Sequence, residues 1–171
     1  MEILTLGSEL LRGKTEPVNR IDKETERLAK DMLDLMHQGK GVGLAGPQVG
    51  IMKRIFVIHV EGDIARVFIN PSIIETSPEQ VKMEEGCLSL PGLWADVVRS
   101  SVIKVQAWNE KGRRFILETG GVMARIIQHE YDHLEGILFI DRISEFKRNR
   151  ILAKFQKKYG KTSRVNEEII Q

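Results

Sequence analysis

The sequence is poor in cysteine, histidine and aromatic residues: of 171 residues one is Cys, four are His, and 6% are Phe, Trp or Tyr. A lone Cys87 cannot close an internal disulfide, so folding cannot depend on oxidation and a reducing, cytoplasmic setting is expected. Long apolar runs are missing too. The stretches 55–60 and 137–140 fall far short of the roughly 18 residues of a membrane-spanning helix. The opening MEILTLGSELLRG has Glu2 where a secretory leader would be basic. Nor is there an excess of one charge: Lys+Arg 26 against Asp+Glu 24 leaves +2, too balanced for a chain built mainly to coat nucleic acid. Repeats and Pro/Gly/Ser linkers are absent, so residues 1–171 are expected to form a single domain.

The remainder, 42% hydrophobic and 29% charged, is patterned for folding. Leu28, Met32, Leu35 and Met36 recur at helical spacing between a capping Asp22 and a stopping Gly39, which predicts a helix over 23–38. A glycine-rich loop follows through GKGVGLAGPQVG. From about 54 to 125, RIFVIHV, RVFIN, SVIKVQAW and RRFILE read as strands of a mostly antiparallel sheet, divided by polar turns. VMARIIQHEYDHL then returns to helical spacing, with Val122, Ile126, His129 and His133 on one face and Gly136 to end it. A last helix is expected over 144–159. Between 145 and 164 eight bases oppose one acid, so 144–171 forms a basic C-terminal helix and tail on an otherwise acidic body. The fold class expected is α+β: antiparallel sheets around a central helix, with helices towards both ends.

The chemistry is concentrated in His129, Glu130, Tyr131, Asp132 and His133, an H-E-x-x-H sequence. On a helix, residues i and i+4 lie one above the other, so both imidazoles can bind one metal ion, with Glu130 beside them to act on water. A catalytic site of this kind needs a third protein ligand. A metzincin would place His where this chain has Phe139, and a thermolysin-like enzyme would use a downstream Glu, for which Glu145, Glu167 and Glu168 are poorly placed. Cys87, in the loop-like EGCLSLPG, supplies a thiolate suited to zinc or iron. In GVGLAGPQVG, the spacing of Gly41, Gly43 and Gly46 fits a dinucleotide-binding loop, but the loop follows a helix and runs towards a strand, the wrong context. Its glycines instead permit close approach of an extended peptide, and Gln48 offers an amide donor to a developing oxyanion.

GVGLAGPQVG, EGCLSLPG and QHEYDHLEG, in this order and at these separations, resemble the three signature motifs of peptide deformylases, and the likeness extends over essentially the whole chain. The resemblance implies an enzyme that removes the formyl group from the N-terminal formyl-methionine of new polypeptides. It implies metal ligation by Cys87, His129 and His133, with iron(II) the usual ion and zinc, nickel or cobalt accepted. It implies Glu130 as general base and acid, and oxyanion donors on the Gln48 side chain and the Leu88 backbone N–H. Val42, Gly43 and Gly86 would bind the peptide backbone, and Glu85 with Arg99 would brace the Cys loop. Ile126 is placed to line a methionine pocket or simply to fill the core. Ribosome contact through the basic C-terminal helix is implied as a partner interaction, and no membrane contact. The chain departs from the family pattern at Gly46, where Ala is common and where glycine is expected to loosen the loop. It departs also at Ser8-Glu9 in place of Asp-Pro, while Leu93 and Trp94 stand at a variable rim. Two rival uses of the same residues are a small metallopeptidase built on the His pair and an RNA-binding module built on the basic helix.

Overall fold

A computed structural model describes residues 1–160; Lys161, Arg164, Glu167, Glu168 and the expected tail lie outside the described residues. The elements are α1 (Lys23–Gln38), β1 (Gly43–Ala45), β2 (Ile55–Ile58), β3 (Arg66–Thr76), β4 (Gln80–Cys87), β5 (Leu90–Ser100), β6 (Val102–Trp108), β7 (Arg114–Gly120), α2 (Gly121–Leu134) and α3 (Glu145–Tyr159), with short 3-10 turns between some of them. Five strands form one antiparallel sheet in the order β1-β2-β3-β6-β7, and β4 with β5 makes a separate two-stranded ribbon. The α+β class follows directly. Among the described residues no helix is long and apolar enough to cross a membrane.

The continuous apolar run of β2 is explained by helices on both faces of the sheet. Successive strand side chains point to opposite sides. Ile55 and Val57 pack with Met32 and Met36 of α1, whereas Phe56 and Ile58 pack with Ala124 and Ile127 of α2. Phe56 stacks on Phe68 of the neighbouring strand at 4.7 Å between ring centres. α1 begins where expected, with the Asp22 carboxylate accepting hydrogen bonds from the backbone N–H groups of Glu24 and Thr25 at 3.1 and 3.2 Å. α2 ends in a Schellman arrangement: Gly136 adopts a left-handed φ of 73°, its N–H donates to the His133 carbonyl, and the Ile137 N–H donates to that of Asp132.

Three expectations change. The glycine-rich loop contains β1, a strand too short to show an alternation of its own, paired to β2 from Gly43 to Ala45. The stretch EGCLSLPG, which reads as loop-like, lies within the β4–β5 ribbon, so Cys87 ends a strand. Finally, the helix expected only as a basic C-terminal segment also supplies core: Ile151 of α3 joins Leu90, Val97 and Phe139 in a third core cluster, and the Tyr159 hydroxyl donates to the Pro91 carbonyl at 3.4 Å. Deleting everything beyond 144 would therefore strip the ribbon that carries Cys87 of part of its support.

Gly46 tightens its turn and does not loosen it. A Cβ there would lie 2.5 Å from the Ile51 carbonyl oxygen and 2.9 Å from that of Lys53, both backbone atoms that cannot swing aside. Gly46→Ala is expected to lower stability by about 1–3 kcal/mol, the usual cost of overpacking. A urea midpoint equal to wild type would show that the 46–53 segment relaxes freely.

Candidate metal centre and peptide groove

α2 and the β4–β5 ribbon converge to assemble the centre. Within α2, His129 and His133 lie one turn apart with ring centres 5.0 Å from each other. The Cys87 sulfur is 3.4 Å from His133 Nε2, and ligand atoms of Cys87, His129 and His133 all lie within 4.8 Å of one another. A thiolate and two imidazoles at this separation fit a tetrahedral ion such as zinc or iron(II) that keeps one position for water or substrate. His129 is oriented from behind: its Nδ1–H donates to Glu85 Oε1 at 2.9 Å, which turns Nε2 towards the sulfur.

Glu85 in turn is clamped by two arginines. Arg99 donates from Nε and Nη2 to the two carboxylate oxygens at 2.7 and 2.9 Å, and Arg125 Nη1 donates to Oε2 at 2.5 Å. Arg125, one turn before His129, also bonds the carbonyls of Val97 and Val81, fastening α2 to both ribbon strands. Arg99 reaches on to Asp132, which is held by Arg142 as well. The expected brace of Glu85 and Arg99 is therefore one part of a buried network. Sequence reading missed Arg125 and Asp132, although an arginine inside the apolar run VMARII, four residues before the first His, was a usable signal.

The remaining expected residues border one groove of about 620 Å³, lined by Val42, Gly43, Gln48, Gly86, Leu88, Ile126, His129 and Glu130 among others. Ile126 thus serves both groove and core. Gln48 is buried, and its amide orientation is determined: the Ala45 N–H can only donate, so Oε1 faces it at 2.9 Å, while Nε2 points to Cys87 Sγ at 3.4 Å and Ser89 Oγ at 3.1 Å. Gly43 lies against Glu130 so closely that a Cβ would come within 2.9 Å of the carboxyl carbon. Leu88 opens the two-residue turn between β4 and β5.

Burial sets the electrostatics. It pushes the Glu130 carboxyl up to about 7, with the Glu85 charge adding to the shift and His129 and Arg99 opposing it. Burial alone would lower His129, but its bonds to Cys87 and Glu85 outweigh this and hold it up at about 10. His133 has no such compensation; burial and the neighbouring positive charges drive it well below the usual histidine range. A divalent ion bound by the three side chains would take the place of the His129 proton. For Glu85, burial is overcome by His129 and Arg99, and the carboxyl falls from 4.5 to about 2. A depressed carboxylate contributes stability that is complete above its unfolded pKa and is lost as pH falls through the folded one. Glu85→Gln should therefore lower stability at neutral pH and reduce the acid-side slope of the unfolding midpoint between about pH 4.5 and 2. An unchanged slope would mean that Glu85 is not ionised within the network.

The chain is similar in sequence and fold to known proteins. A family model described as Polypeptide deformylase matches residues 1–149. The peptide deformylase of Clostridium botulinum is 51% identical over 139 residues, covering 81% of this chain and 93% of its own length. That of Chromohalobacter salexigens is 43% identical over 161 residues, covering 93% and 95%. Among solved structures, the peptide deformylase from Synechococcus elongatus in complex with actinonin superposes with a TM-score of 0.86 at 41% identity, over 90% of this chain and 85% of that one. The enzyme from Legionella pneumophila does so with a TM-score of 0.88 at 37% identity, over 95% and 97%. The match of family model, sequence relatives and fold over nearly the full length places this chain in the polypeptide deformylase family.

Proposed function

We propose that this single-domain chain removes the formyl group from the N-terminal formyl-methionine of nascent polypeptides, at a metal ion held by Cys87, His129 and His133. The observation that carries the assignment is the cluster of these three ligand side chains beside a groove that Cys87, His129, Glu130 and Gln48 line. Following the family, iron(II) is the proposed native ion, with zinc, nickel and cobalt as alternatives. When bound, such an ion supplies a Lewis acid that lowers the pKa of water from 15.7 towards about 7.

β1 forms one edge of the five-stranded sheet, hydrogen-bonded to β2 on one side, and Gly43 borders the groove. Its other side is suited to an extended peptide pairing with the backbone of Val42 and Gly43, with Gly86 opposite. The methionine side chain would then enter the apolar part of the groove beside Ile126. Glu130, whose carboxyl burial pushes up, would accept a proton from attacking water and return it to the departing amine. The Gln48 amide and the Leu88 N–H are the donors proposed for the tetrahedral oxyanion. Cytoplasmic location and ribosome contact belong to the same proposal. Lys147, Arg150, Lys154, Lys157 and Lys158 of α3 are exposed and give a basic surface for ribosomal RNA.

Assays on formyl-Met peptides are the direct test, and cleavage of internal peptide bonds instead would favour the metallopeptidase reading. Gln48→Leu should reduce kcat by roughly 10²–10³, the effect of losing one oxyanion donor. Glu130→Gln should retain the metal and lose turnover; wild-type deformylation by either variant would remove that residue from its role. Protein purified without oxygen is expected to carry iron on elemental analysis, and zinc alone in a fully active preparation would overturn that choice.

A further inference from the structure

Trp94 borders the groove beside Gly86 and leaves 61% of its surface open, although indole is among the largest apolar groups a chain can bury. It stands directly opposite Gly86 in the β4–β5 register. A Cβ on Gly86 would collide with the ring carbons Cε3 and Cζ3, so the indole lies across the place that a side chain at 86 would fill. Resting on the deformylase reading and on the peptide pose given above, we propose that Trp94 is a specificity residue: its open ring receives the side chain of the second substrate residue and favours an aromatic one.

The direction follows from strand alternation. β4 is paired on one side only, by β5, and its residues Met83–Cys87 line the groove. Glu85 points inward, to His129 on α2. Gly86 therefore faces the opposite, outward side, where Trp94 stands. A peptide extended between the edges of β1 and β4 continues the same alternation. With its methionine turned inward to Ile126, its second side chain points outward, to the side of the indole. Gly86 places no side chain between them, so the ring and the second residue meet across bare backbone.

The ring is also free to accept a partner. Among the described residues, no aromatic ring and no cationic side chain stacks on it. A phenylalanine laid against it would bury apolar surface and gain the aromatic pairing, whereas a serine gains neither. The contact is remote from the formyl carbon and is the same before and during the reaction. It therefore acts on KM and not on kcat.

The test compares formyl-Met-Phe-Ser with formyl-Met-Ser-Ser on the metal-loaded full chain. The wild type is expected to show a kcat/KM about 2- to 10-fold higher for the phenylalanine peptide, carried by KM. Trp94→Ala should make the two peptides nearly equal by raising KM for the phenylalanine peptide, and Trp94→Phe, which keeps a ring, should restore the preference. A fall by the same factor on both peptides in Trp94→Ala would mean that the indole only supports the ribbon, and an undiminished preference would mean that another surface reads the second residue; either overturns the proposal. Equal wild-type turnover of the two peptides would overturn it while leaving the deformylase reading intact, whereas no turnover of either would remove that reading and this subsite together.

Discussion

The buried carboxylate of Glu85 is where the two halves of the centre are joined. It lies on β4, two residues before Cys87, and receives His129 and Arg125 from α2 and Arg99 from β5. A carboxylate in a water-poor interior costs several kcal/mol unless its charge and hydrogen-bonding capacity are matched. Here both oxygens are shared among three donors. Loss of any one leaves part of that hydrogen-bonding capacity unmatched, so ribbon and helix are held in one relative position. The spacing between the Cys87 sulfur and the two imidazoles follows from that constraint.

Around this junction, the rest of the fold limits movement. α2 is gripped by the sheet through Ala124 and Ile127 and ended by the left-handed Gly136, which keeps the two histidines in phase with the sulfur. The ribbon has few strands of its own and depends on Leu90 and Val97 packing against Phe139 and Ile151. α3 therefore has two faces with different demands: an apolar one that supports the ribbon, and a basic one facing solvent. Two glycines record how closely the backbones approach, Gly43 under the Glu130 carboxylate and Gly46 under two carbonyls.

Much of the centre was legible from residue type and spacing alone. H-E-x-x-H on a helix dictates a shared face, and a cysteine in a chain with only one draws attention as a third ligand. The two long helical periods and four of the strands were equally readable, because one-sided or alternating burial leaves a repeat in the sequence. β4 and β5 left none: their outward positions mix Val81, Met83, Trp94 and Val98 with charges, and Pro91-Gly92 reads as a turn. The role of Gly46 was misread for a related reason, since the carbonyls that crowd it belong to residues five and seven positions later and local propensity does not report such contacts.

By itself, the sequence determined which side chains could ligate a metal, the helix that spaces two of them, and the α+β alternation of elements, because each depends on local periodicity. Tertiary structure decided what depends on residues far apart in the chain. It brought the Cys87 sulfur to the histidines through β4, gave Arg125 and Asp132 their places around Glu85 and His129, and paired His37 with His59 across 22 positions. A buried charge must find its partner in space, and no periodic pattern announces where that partner lies.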